Sequence, residues 1–148
     1  MNAPIQAVLL DLDDTLLGNN TAEFMKRYFA LLGAYARPVM DNDTFLPHLI
    51  QATQATIRNT DPTMTNAEVF WANFEGLTGG RRSELEPFFN RFYESEFARL
   101  QPSTLVRPAA VHLVRAAFAR GLAVVIATNP LFPATAIEQR LAWAGVPI

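Results

Sequence analysis

Residues Ala7 to Leu17 read Ala-Val-Leu-Leu-Asp-Leu-Asp-Asp-Thr-Leu-Leu, and this stretch limits the fold more than any other. A short apolar run ends in Asp11, and a second carboxylate follows at Asp13. The run is too short to span a bilayer and has the length of a buried strand. Charge beside an apolar core loses hydration, so acids at the end of such a strand are costly for folding. A chain that keeps them there marks a site. Positions i and i+2 of an extended segment share a face, so Asp11 and Asp13 can turn toward one pocket.

A second run, Leu122 to Thr128, is apolar and β-branched and lies between Gly121 and Asn129-Pro130. It predicts a buried parallel strand that also ends in polar residues, Thr128 and Asn129. Pro108 suits a first helical turn. Ala110, Leu113, Val114, Ala117 and Phe118 form an apolar stripe behind it, and Gly121 is its stop. That helix is a crossover that brings the Leu122 strand beside the first one. A final helix is expected from about Pro133 to Ala144, with Ile137 and Leu141 facing inward, Arg140 as surface charge and Gly145 as the end. These features predict an α/β chain.

Residues 18–100 have helical character and hold every aromatic residue except Phe118, Phe132 and Trp143. Phe24, Tyr28, Leu31 and Tyr35 recur at helical spacing, as do Phe45, Leu46, Leu49, Ile50, Thr53 and Ile57 after a cap at Asp43. Thr65 to Glu68 and Ser83 to Glu86 each fit a capping box, and Gly79-Gly80 should break the chain between them. The reading is a four-helix insertion with an aromatic core of its own, packed apart from the Leu122 strand.

Half of the 148 residues are hydrophobic and 18% are charged, as in a globular chain. The net charge is −2, with no basic run, which argues against nucleic acid and anionic membrane surfaces as partners. The absence of cysteine excludes disulfides, thiol catalysis and thiolate metal sites. The amino-terminal run has no flanking Lys or Arg and is broken by Asp11, so it does not read as a secretory signal. A cytoplasmic protein without a membrane span is the expectation. His48 and His112 read as structural or surface residues, Arg81-Arg82 as a solvated turn, and Asn19-Asn20 as a turn after the first motif.

Asp11-Leu-Asp13-Asp-Thr15 after an apolar strand, with Thr128-Asn129 ending a second, resembles the first two motifs of the haloacid dehalogenase superfamily. The run Ala127 to Pro133, followed by Arg140-Leu-Ala-Trp-Ala-Gly145, is similar to a subgroup of bacterial members. The resemblance implies a Rossmann-like core from residues 1–17 and 101–148 with an all-α cap from 18–100. It implies that Asp11 is the nucleophile of an aspartyl-phosphate mechanism and that Asp13 is the acid/base that protonates the leaving oxygen and activates water. Thr128 and the Asn129 amide would bind the phosphoryl group, and Thr15 would steady the turn. Mg²⁺ would be held by the Asp11 carboxylate and the Asp13 backbone carbonyl. Asp14 fills a slot often held by Gly.

The implied activity is a Mg²⁺-dependent phosphatase acting on a small phosphate monoester. Asp13 argues against the dehalogenase reaction, which needs no acid for an alkoxide. The family's third motif, a Lys or Arg, and its fourth, an acidic pair, have no counterpart. The only lysine is Lys26, no Asp follows Asp61, and Glu138 is the only acid after Glu96. Two readable strands also make a poor sheet with unpaired edges. A partial chain of low activity is therefore expected, with an oligomer or a further carboxyl-terminal segment covering the sheet edge. The alternative is a non-catalytic interaction or assembly module derived from the same fold.

Overall fold

The computed structural model describes residues 5–146. The chain runs β1 (Ala7–Leu10), β2 (Leu17–Asn19), α1 (Thr21–Ala36), α2 (Asn42–Arg58), α3 (Asn66–Thr78) and α4 (Arg82–Ser95). It continues through a 3₁₀ segment (Phe97–Ser103), β3 (Thr104–Val106), α5 (Pro108–Ala119), β4 (Ala123–Ile126) and α6 (Ala134–Trp143). It is a mixed α/β protein, mainly helical, with a small parallel sheet. No helix among the described residues is long and apolar enough to cross a membrane.

β1 and β4 pair in parallel from Ala7 opposite Ala123 to Leu10 opposite Ile126. Both strands are shorter than their apolar runs. Their side chains alternate. Val8, Leu10, Val124 and Ile126 are partly covered, while Ala7, Leu9, Ala123 and Val125 face outward. The expectation of a fully buried strand therefore fails on one face, because α5 packs against β4 and no described element covers the other side.

β2 and β3 form a second, antiparallel ribbon, with Leu17 opposite Val106 and Asn19 opposite Thr104. Nothing in the sequence pattern predicts it, since three-residue strands carry too little alternation to read. Its effect is to hold together the two points where the chain enters and leaves the helical region.

Helices α1 to α4 fill that region, and their boundaries follow local chemistry. Asn20 caps α1 by accepting from the Glu23 amide. Asp41, not Asp43, caps α2. The Thr65–Glu68 capping box forms in full, with the Glu68 carboxylate 2.7 Å from the Thr65 amide. The Ser83–Glu86 box does not form, because the cap position of α4 is Arg81, two residues before Ser83, and Glu86 is drawn to the Arg82 guanidinium. Gly79 ends α3 with φ 70°, a left-handed conformation that glycine takes without penalty.

The aromatic residues pack on one another, yet the two expected cores are one. Phe97 stacks on Trp143 of α6 at 5.4 Å, and Phe24 meets Phe132 edge-on at 6.5 Å. Val124 and Ile126 lie against the same buried cluster that contains Phe45, Phe74 and Phe92. The insertion is continuous in sequence but shares its burial with the strands.

Candidate active site

Leu10 and Ile126 are paired and both strands point the same way, so Asp11 and the Ala127–Asn129 segment leave the sheet at the same edge. The Ala127 amide donates to the Leu10 carbonyl at 2.8 Å, extending the pairing to the first residue past β4. Asp11 is exposed and its carboxylate has no hydrogen-bond partner among the described residues. Thr128 is half-buried, one residue further along.

After Asp11 the chain folds into a tight turn. The amides of Leu16 and Leu17 both donate to the Leu12 carbonyl at 3.0 Å, and the Asp14 amide donates to the Leu17 carbonyl at 2.9 Å. Leu12, Leu16 and Leu17 are fully buried and anchor this turn. Asp14 takes a positive φ of 54°, a conformation that Asp tolerates better than most residues. The turn is thus closed by backbone, and Thr15 makes no side-chain hydrogen bond among the described residues. Its expected steadying role is not what holds the turn. Asp14 instead meets Arg107 at 3.1 Å and accepts from the Asn19 amide at 3.3 Å. Gly18 makes room for that contact, since a Cβ there would sit 3.1 Å from the Arg107 Nε.

Asp13 is joined by two side chains distant in sequence. Asn19 Nδ2 donates to it at 3.1 Å, and the guanidinium of Arg140 forms an ion pair with the same oxygen. Arg140 is 2% exposed, while the Asp13 side chain is 53% exposed. The expectation of a surface Arg140 is overturned. Its guanidinium lies 5.6 Å from the ring centres of both Phe24 and Phe132, so cation–π attraction partly replaces lost hydration. Its Nε is buried without a hydrogen-bond partner among the described residues. The signal was present in the spacing, because Ala136, Arg140 and Ala144 recur every four residues and all three face inward. Charge alone suggested a solvated position.

The helical region reaches the same edge. Asn66, first residue of α3, donates to Asn129 Oδ1 at 2.9 Å and to the Pro130 carbonyl at 3.2 Å. Arg81 and Arg82 pair with Glu84 and Glu86 on α4. His48 and His112 join no metal-binding cluster. Among the described residues no group of three His, Asp or Glu side chains gathers for a metal. Two oxygen donors stand together in sequence at the strand end, the free Asp11 carboxylate and the Asp13 carbonyl, which accepts no hydrogen bond among the described residues. Magnesium commonly takes one or two carboxylates and completes its shell with water and substrate phosphate, so this donor set fits it.

The chain matches no protein-family model, no curated protein and no solved structure. The functional reading rests on its own residues.

Proposed function

We propose that this chain is a phosphatase of the haloacid dehalogenase type, acting on a small phosphate monoester through an aspartyl-phosphate at Asp11. The observation that carries the reading is the shared strand edge. Asp11 follows β1 directly and Thr128-Asn129 begin two residues past β4, at the same end of two paired parallel strands, and open α/β sheets bind ligands at the carboxyl ends of their strands. In this reading residues 18–100 form a cap over a partial Rossmann-like core.

A carboxylate oxygen of Asp11 attacks phosphorus, and the bond to the leaving oxygen breaks as Asp13 delivers a proton to that oxygen. Asp13 then takes a proton from water. The water oxygen attacks phosphorus and the Asp11–phosphate bond breaks, which frees phosphate and restores both acids. Arg140 and Asn19 both donate to one oxygen of Asp13, which orients the carboxyl group and leaves its other oxygen to carry the proton. The Thr128 hydroxyl and Asn129 amide donate to the phosphoryl oxygens. A magnesium ion held by the Asp11 carboxylate and the Asp13 carbonyl would supply positive charge against the phosphoryl oxygens. Arg140 adds a cation that the sequence reading lacked.

One observation favours a second reading, an interaction or assembly module. The outer sheet face carries Leu9 at 66% and Val125 at 45% exposure, more apolar surface than a parallel sheet normally leaves uncovered. An oligomer or further segment of chain would cover it. The deciding test is phosphate release from p-nitrophenyl phosphate with and without Mg²⁺, together with acid-quench trapping of an acyl phosphate. Mg²⁺-dependent release, however slow, that disappears in Asp11→Asn supports the enzyme. Release that survives Asp11→Asn overturns it, and no release with no trapped intermediate leaves the module reading.

A further inference from the structure

A cavity of about 300 Å³ lies within the helical region, walled by Tyr28, Phe45, Leu49, Phe70, Trp71 and Phe132, among others. Interiors pack to the density of organic crystals, and a void of this size falls at the lower end of small-ligand pockets. Its lining shows what it can accept. The hydroxyls of Tyr28 and Tyr93 bond to each other at 2.8 Å. Burial holds the Tyr28 phenol well above its ordinary value and pushes Tyr93 up to about 12, so both stay neutral. Glu86, on the wall, gives both carboxylate oxygens to Arg82 at 2.7 and 3.0 Å. The Thr53 and Thr56 hydroxyls donate to carbonyls of their own helix. No free charge faces the space. A charged guest would lose its hydration there without a partner.

The cavity also adjoins the strand edge. Pro130 to Pro133 line it directly after Thr128-Asn129, and Asn66 of its wall is bonded to Asn129. Phe132 separates it from Arg140, which touches Asp13. We infer that this cavity binds the uncharged, apolar leaving group of the substrate, an aromatic or branched aliphatic alcohol whose phosphate ester reaches Asp11 across the Asn129–Phe132 loop. The cavity stands on its lining alone, and only its link to catalysis rests on the phosphatase reading.

The test separates the two. The chain, labelled with ¹⁵N, has two indole N–H resonances, from Trp71 on the cavity wall and Trp143 on Phe97. Titration with 2-naphthol should shift the Trp71 resonance in a saturable way and leave Trp143 unmoved. Ala67→Phe, at an exposed position in the first turn of α3 that lines the cavity, should weaken that binding at least about tenfold, with the remaining spectrum intact. No Trp71 shift, or full binding by Ala67→Phe, overturns the cavity whatever the turnover. Release from 2-naphthyl phosphate should exceed that from glycerol 3-phosphate in kcat/KM, with the preference reduced by Ala67→Phe. Equal use of both esters overturns the leaving-group assignment. Naphthol binding without release from either ester supports the cavity and overturns the reaction.

Discussion

The helical region and the strand pair carry equally apolar side chains but bury them to different extents. Phe45, Phe74, Phe92 and Phe97 are all but inaccessible, because helices α1 to α4 and the 3₁₀ segment present their apolar faces to one another. The ring pairs among them meet mainly edge-on, the geometry that the aromatic quadrupole favours. In the strand pair the side chains alternate, and only one face meets this core. Leu9 and Val125 stay outside, as do Leu113 and Phe118 on α5. A helix can bury a stripe against any neighbour, whereas a two-stranded sheet has two faces and two edges to cover. Stability should therefore concentrate in the insertion, even though the candidate catalytic residues stand on the strands.

The sharpest test of that contrast pairs Phe97→Ala with Leu9→Ala under urea denaturation. Phe97→Ala should cost about 3–5 kcal/mol, the range for removing a fully buried ring. Leu9→Ala should stay within about 0.5 kcal/mol, as at other exposed positions. Comparable losses would mean that the outer sheet face is covered in solution, and the comparison would fail.

The ion pair between Asp13, after β1, and Arg140 on α6 predicts a smaller, asymmetric effect. Asp13→Ala leaves the buried Arg140 without its carboxylate and should cost about 2–3 kcal/mol, less than for a fully buried pair because Asp13 is half exposed to water. Arg140→Met leaves only a hydrated Asp13 and should cost less than Asp13→Ala. The reverse order in thermal or urea unfolding would show that Arg140 acts mainly through packing on Phe24 and Phe132.

Deep within the insertion, the Tyr28–Tyr93 pair gives a pH test with a definite sign. Burial raises both phenols, Tyr93 from its ordinary 10.0 to about 12. The folded chain then holds protons that the unfolded chain releases, so stability is full below about pH 10 and falls as pH rises toward 12. Tyr93→Phe should cost about 1–2 kcal/mol at neutral pH by leaving the Tyr28 hydroxyl buried and unpaired. The Tyr28→Phe, Tyr93→Phe double variant should lose less than the sum of the singles and show a flatter alkaline profile. An unchanged profile would place neither hydroxyl in the core.

The smallest effect separates the two capping boxes read from the sequence. Thr65→Ala should cost about 1 kcal/mol, the usual worth of an N-cap, while Ser83→Ala should change stability by no more than a few tenths. Equal losses in a pair of thermal melts would mean that Ser83 caps α4 after all.

Local chemistry was sufficient for most of the elements. Thr65, Pro108, Gly79 and Gly121 act on neighbours within a few residues, so the starts and stops they set are written in the chain. The two strands were legible for the same reason, and with them Asp11 and Thr128 as residues that leave a sheet edge. What the sequence could not decide depended on partners far along the chain. Arg140 meets Asp13 across 127 positions, and a charge is buried only if a carboxylate and two aromatic rings arrive to receive it. The joining of two expected cores into one was decided the same way, by where Phe97 and Phe132 came to lie. Periodicity tells which side of an element seeks cover. Only the tertiary structure supplies the cover, and on the outer face of β1 and β4 no described residue does.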